Sequence, residues 1–377
     1  MVSTLDAYLD SFRGVAGFLD WAAFGPLSPS VREEVFADAD LLGTGRPSSM
    51  ALVAERIGQA RELAAELLGA DAGEVTVQPS STHGLMHAFF GLAGDVIAST
   101  AEFPSVSMTL ERAAQASAGA LSPRWIAPAD ARVTPDAVAE ALDDDVTAVA
   151  VSHVDFRTGY RVDLAALREV IGPDRLLIVD AVQSFGIVSE DYTAADVVVG
   201  HGYKWLRAGR GTGFAWFSAL ARERIVPVLS GFRGIDSDEL PLDEMPPPAA
   251  SSRAYAVNAP DQLAVARLAT GLRDVRDAGV ASIEKALAAR VDAVLEIADR
   301  YGVPVRSPRD PAERAGIVSL APEAPAALSA ALANAGIVAT TRGNAVRIAP
   351  HAGTSDATLQ LLDEAIGSLR NDTFISP

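Results

Sequence analysis

The feature that most constrains this chain is a series of short apolar runs between about residues 50 and 220, separated by stretches with helical periodicity. The runs are Val75-Thr76-Val77, Asp95-Val96-Ile97-Ala98, Ala148-Val149-Ala150-Val151, Leu176-Leu177-Ile178-Val179, Val197-Val198-Val199 and Gly213 to Phe217. Strands that are apolar without alternation must be covered on both faces, and intervening helices supply the cover. Those helices can be read directly. Leu52, Ile57, Ala60, Leu63 and Leu67 recur at steps of three to five residues, with Gly69 placed to close the helix. Thr134 caps a helix that begins with Pro135. Asp163 caps another that carries Leu164, Leu167 and Ile171, with Gly172 after it. The pattern predicts an α/β fold built on a mostly parallel sheet.

After about residue 235 the pattern changes. Pro241 to Pro248 contains four prolines and reads as an exposed loop or crossover. Ala-rich helices follow: one carries Ile283, Leu287, Val291, Val294 and Ile297, and a last one, capped by Ser355, carries Leu359, Leu362, Ile366 and Leu369. Ala345 to Ala349 reads as a strand between them. The expected division is a large α/β domain over residues 15–250 and a small α+β domain over 251–377, joined by residues 1–14.

Composition narrows the function. The formal charge is −18, from 31 basic and 49 acidic residues, and no basic cluster marks a nucleic-acid backbone site. The absence of cysteine excludes a thiol nucleophile, a thiolate metal site and disulfides. No signal-peptide pattern and no apolar run near ~18 residues is present. The expectation is a cytoplasmic protein with no membrane or nucleic-acid partner and no metal.

Two of the strands end in reactive groups. Leu176–Val179 runs into Asp180-Ala181-Val182-Gln183-Ser184, and Val197–Val199 runs into Gly200-His201-Gly202-Tyr203-Lys204-Trp205. Ligands of open α/β sheets sit outside the carboxyl ends of the strands, so an acid and an amine reach the same rim. Taken singly, Asp180 is a helix cap or loop ion pair and Lys204 a surface lysine. Together, with Tyr203, Trp205 and Leu206 ill suited to exposure, they point to a pocket. Gly200 and Gly202 read as positions that let a ligand approach the backbone.

The pairing suits pyridoxal phosphate (PLP). A desolvated lysine amine forms the Schiff base, and the aspartate keeps the pyridine nitrogen protonated so that the ring accepts electrons. Ser80-Ser81-Thr82 opens a helix carrying Leu85, Met86, Phe89 and Leu92, which offers backbone N–H groups and hydroxyls to a phosphate. Alone, that segment is an ordinary N-cap.

Over nearly its whole length the chain resembles the class V, fold-type I PLP enzymes, which include cysteine desulfurases, kynureninases, isopenicillin-epimerase-like proteins and several aminotransferases. The residues that carry the resemblance are Phe18 to Ala23 with Gly25-Pro26, Glu102-Phe103-Pro104-Ser105, Ser152 to Gly159, Val179 to Ser184, Gly202 to Leu206 and Arg347 to His351. It implies a mostly parallel seven-stranded sheet in the large domain. It also implies roles: Lys204 holds the cofactor and shuttles a proton, Asp180 pairs with the pyridinium, Gln183 bonds the ring hydroxyl and Phe103 stacks on the ring. Ser81, Thr82, His201 and Tyr203 hold the phosphate, Asp155 lies near the ring oxygen, and Arg347 grips the substrate carboxylate through its guanidinium fork. Phe24, Arg46 and Arg233 stand on segments expected to face the substrate. A homodimer with active sites at the interface is also implied.

The chain departs from the family pattern at Asp155, where asparagine is frequent, at His201, where serine or threonine is common, and at Asn258-Ala259-Pro260 in place of Gly-Thr-Pro. Without cysteine, persulfide-forming desulfurase chemistry has no nucleophile. The leading expectation is a PLP-dependent, aminotransferase-like enzyme acting on an amino acid. A C–S or C–C lyase (kynureninase-like or a cysteine-free desulfurase relative), an epimerase of the same fold, and a PLP binder without catalysis remain open. A nucleotide-binding oxidoreductase is disfavoured because Gly43 and Gly45 do not follow a strand.

Overall fold

The computed structural model describes residues 4–237 and 239–372, and in it the apolar runs become the strands of one large sheet. Its members are β1 (Val75–Gln78), β2 (Gly94–Ser99), β3 (Leu121–Ile126), β4 (Val146–Ser152), β5 (Leu176–Asp180), β6 (Val197–His201) and β7 (Gly213–Phe217). They lie in the order β1-β7-β6-β5-β4-β2-β3. Neighbours from β3 through β6 pair in parallel, while β7 runs antiparallel between β6 and β1. The fold is the expected seven-stranded, mostly parallel α/β layer.

Both faces of this layer are dry, and the side-chain period of two divides them. Val149, Val151, Leu177, Val179 and Val198 enter one core cluster. Ala148, Ala150, Leu176, Ile178, Val197 and Val199 enter the other, against Leu85 and Phe89 of the helix Ser81–Phe90. β3 escaped the sequence reading for a physical reason. It is an edge strand holding Pro123, Arg124 and a partly exposed Trp125, and only an edge tolerates proline without losing a ladder bond.

A second, antiparallel sheet is formed by β8 (Val318–Leu320), β9 (Thr340–Arg342) and β10 (Ala345–Ile348), in the order β8-β10-β9. β8 and β9 are three residues each, too short to show periodicity. The chain start threads along this sheet: Leu19 N–H donates to Val338 O, Ala349 N–H to Leu19 O and Trp21 N–H to Ala349 O. The segment after residue 251 still builds the large layer. Tyr255 stacks on Phe217 with ring centroids 3.9 Å apart, and the helix Gln262–Ala278 packs on the helix Pro47–Leu68. Residues 1–3 and 373–377 of the expected small domain lie outside the described residues. Among the described residues, no helix is long and apolar enough to cross a membrane.

The contact between β7 and the Ser80 corner admits no side chain. A Cβ on Gly213 would lie 2.7 Å from the Ser80 backbone and 2.9 Å from Gln78 O. Gly213→Ala is therefore expected to destabilise the fold by about 1–3 kcal/mol. An unchanged denaturant midpoint would show that the corner yields freely.

Candidate active site

The same period of two assembles the site. Ser152 extends the Ala148–Ala150 side of β4, Asp180 the Leu176–Ile178 side of β5 and His201 the Val197–Val199 side of β6. All three therefore face the helix Ser81–Phe90 from the carboxyl edge, with Ser152 paired to Asp180 and Asp180 to Val199 in the ladder. That helix begins at the same edge, where Ser80 caps it by accepting from His83 N–H.

Three distant segments fix the lysine loop. Gly25 N–H donates to Tyr203 O at 2.8 Å, and a Cβ on Gly25 would lie 2.0 Å from Lys204 O. Trp205 Nε1 donates to Gln183 Oε1 at 3.0 Å. His351, fully buried, accepts from Ala352 N–H at Nδ1 and so donates through Nε2 to Trp205 O at 3.1 Å. Burial holds His351 far down the acid range, at about 3, so this donor arrangement persists at neutral pH. Arg207 takes a left-handed φ of 55° just beyond, with its guanidinium on Ser11 and Pro26.

Lys204, Asp180, Gln183, Ser81, Thr82, Phe103, His201 and Tyr203 all line one cavity of 350 Å³. Lys204 Nζ lies 5.6 Å from the Phe103 ring centroid and 5.2 Å from that of Tyr203. Burial lowers the Lys204 amine to about 7; Asp180 opposes the fall, and Arg347, Arg342 and Arg210 add to it. Burial likewise raises the Asp180 carboxyl against the Val182 N–H bond and the Lys204 charge. The two directions describe one dry pair, in which water exclusion disfavours charge on either partner. His201 is held neutral by burial, reinforced by Lys204 and Arg210, and its buried Nδ1 has no hydrogen-bond partner.

These donors suit a flat aromatic group with a basic ring nitrogen, a carbonyl and a phosphate. Asp180 would meet the nitrogen and Lys204 the carbonyl carbon, and Phe103 offers a ring face. The helix start with Ser81 and Thr82, the unpartnered His201 nitrogen and Arg210 would take the phosphate. Gln183 has one amide N–H on Ala22 O and its oxygen on Trp205, which leaves its second N–H for a ligand.

Other candidates sit elsewhere. Asp155 does not line this cavity; its carboxylate accepts from Arg157 and from the backbone and hydroxyl of Thr158, closing its own turn. Arg347 lines the adjoining cavity, where it pairs with Asp20 at 3.0 Å and donates to Phe156 O. Arg46 is an exposed residue at the start of the helix Pro47–Leu68. Arg233 lines a separate cavity together with Asn258. Phe24 approaches Tyr203 only at 6.5 Å between ring centroids. Gly200 and Gly202 are small for a different reason than ligand approach: a Cβ would meet the Phe214 ring at 2.2 Å and Thr212 Oγ1 at 2.6 Å.

The sequence reading gave no role to Arg210, Ser105, Ser152, Phe156 or Glu102. The first four line the cavity. Glu102, on the Phe103 motif, accepts from Ser152 N–H, and burial raises it to about 7, with Asp180 and Asp155 adding to the rise.

Comparison with known proteins gives the family and the fold. The family model described as Aminotransferase class-V matches residues 44–357. A kynureninase of Deinococcus radiodurans is 29% identical across 68% of this chain, and the match spans 63% of that protein, less than two thirds of its length. The apo structure of a cysteine desulfurase from Thermococcus onnurineus NA1 superposes with a TM-score of 0.84 at 19% identity, covering 96% of each chain. A mutant of C-DES with glycine covalently linked to its PLP cofactor superposes with a TM-score of 0.85 at 19% identity, covering 96% of this chain and 98% of that one. At this identity the structural matches establish the fold.

The chain has two lysines, Lys204 and Lys285, so the depressed amine can be tested chemically. Reductive methylation of Lys204, followed by peptide mapping, is expected to rise with a midpoint near pH 7. A midpoint near the ordinary lysine value, roughly 10.4, would contradict the drying of this amine.

Proposed function

Because the chain belongs to the class-V aminotransferase family, we propose that it is a PLP-dependent, aminotransferase-like enzyme acting on an amino acid, with Lys204 as the residue that carries the cofactor. The observation that carries the reading is the Lys204–Asp180 pair in one 350 Å³ cavity whose lining also offers a helix start and a histidine nitrogen unpartnered among the described residues. When bound, PLP would supply an electron sink for bonds broken at the substrate α-carbon.

The chain's residues would do the rest. Asp180 would stay ionised against the ring nitrogen and hold its proton there. Lys204 Nζ, about half unprotonated near pH 7, would hold the cofactor's carbonyl end and accept or return the α-proton. Ser81, Thr82, His201 and Arg210 would anchor the phosphate, and Phe103 would restrict the ring to one plane. A second reading, a lyase cleaving the substrate side chain, draws support from the kynureninase relative. Keto-acid formation supports transfer, and a released side-chain fragment supports the lyase. A dimer belongs to the proposal, supported by exposed Val226, Val228, Phe232 and Val257 on neighbouring loops.

Borohydride reduction after addition of PLP is expected to leave the pyridoxyl group on Lys204; labelling of Lys285 instead would refute the assignment. Asp180→Asn should keep that label while lowering turnover on the order of 100-fold or more. Sedimentation at micromolar concentration should show a dimer, and a fully active monomer would rule out interface sites.

A further inference from the structure

A larger cavity, 870 Å³, adjoins the Lys204 cavity, and Phe156 lines both. Arg132, Arg157, Arg306, Arg342 and Arg347 line it, with Asp130 as its one carboxylate among the described residues. Such a gathering is costly in isolation, since like charges in a partly dry cleft repel. It is also unexpected in a chain of net charge −18, where acidic partners abound. Among the described residues, only Arg157 and Arg347 of this lining have carboxylate partners, Asp155 and Asp20. Among the described residues no ion pair reaches Arg132, Arg306 or Arg342. Two guanidinium nitrogens of this wall, Nε of Arg132 and Nε of Arg347, are buried without a hydrogen bond, and Arg347 is only 2% exposed. The guanidiniums of Arg157 and Arg342 stand 5.2 and 5.5 Å from the Phe156 ring centroid, at the junction with the lysine cavity.

We propose that this cleft receives a second, distal anion of the substrate, so that the enzyme selects amino acids whose side chain ends in a carboxylate or phosphoryl group. The proposal rests on the reading of an amino-acid enzyme at Lys204. Arg347, at the inner end, is placed for the α-carboxylate. Arg306 and Arg342, exposed and without ion-pair partners, are placed for the distal group. Guanidinium forks match the planar oxygens of such anions, and a basic lining in an acidic protein concentrates them in the cleft.

The test is titration calorimetry of the purified protein, with and without added PLP, against glutarate and butyrate, which differ by one carboxylate. Glutarate is expected to bind at least about tenfold tighter, the effect of one charge-assisted contact. Arg306→Met and Arg342→Met should each erode that preference. Arg309→Met removes the same charge from an Asp299 pair outside the cleft and should leave the preference intact. Tighter binding of 4-phosphonobutyrate than of glutarate would assign a phosphoryl terminus within the same proposal. Equal affinities, no binding of either acid, or a preference that survives both cleft variants would overturn it. PLP loading is read separately by absorbance. Failed loading with the preference intact refutes the cofactor reading only, and loading without preference refutes the cleft only.

Discussion

Burial of both faces of the large sheet is the constraint on which the site depends. With Leu176 to Val179 and Val197 to Val199 all buried, a polar group on these strands can be accommodated only where the strand ends. Asp180 and His201 stand at those ends; the ladder sets Asp180 beside Ser152 and Val199, and His201 lies two residues beyond Val199 on the same face. The dryness that excludes polar groups from the layer also sets the chemistry at its rim. It lowers the Lys204 amine and raises the Asp180 and Glu102 carboxyls, because each charge has lost its water.

A reactive lysine in a loop also needs that loop held rigid, and here the restraint comes from the ends of the chain. Gly25 presses on the Lys204 carbonyl, and His351 holds the carbonyl of Trp205. The aromatic cluster of Phe12, Trp21, Trp205 and His351 fills the space beneath, with Phe12 and His351 rings 4.5 Å apart. The motifs at residues 18–26 and 347–351 are therefore parts of one mechanical unit with the lysine loop. Asp20 and Arg347, brought together by the bridge between Asp20 and Ala349, link that unit to the arginine cleft.

Much of this could be read in the sequence because it is encoded locally. Apolar runs gave the central strands, caps such as Asp163 and Gly69 gave helix ends, and the end of β5 and the loop after β6 gave the acid and the amine. The unread parts depend on distant neighbours. β3 has no apolar run because an edge strand needs none. Gly200 and Gly202 are required by Phe214 and Thr212, and Asp155 is occupied by its own turn, neither of which spacing reveals. Arg210 reaches the cavity because the chain doubles back after Lys204, through Gly209 and Gly211 at positive φ.

The sequence by itself determined the layer architecture and put Asp180 and Lys204 at strand ends on one rim, because periodicity and strand ends are properties of consecutive residues. Only the tertiary structure decided which arginines share a cleft, which polar groups remain unpartnered and how dry the lysine becomes. Those properties arise from segments hundreds of positions apart, such as Asp20 with Arg347, and burial is a property of the packed whole.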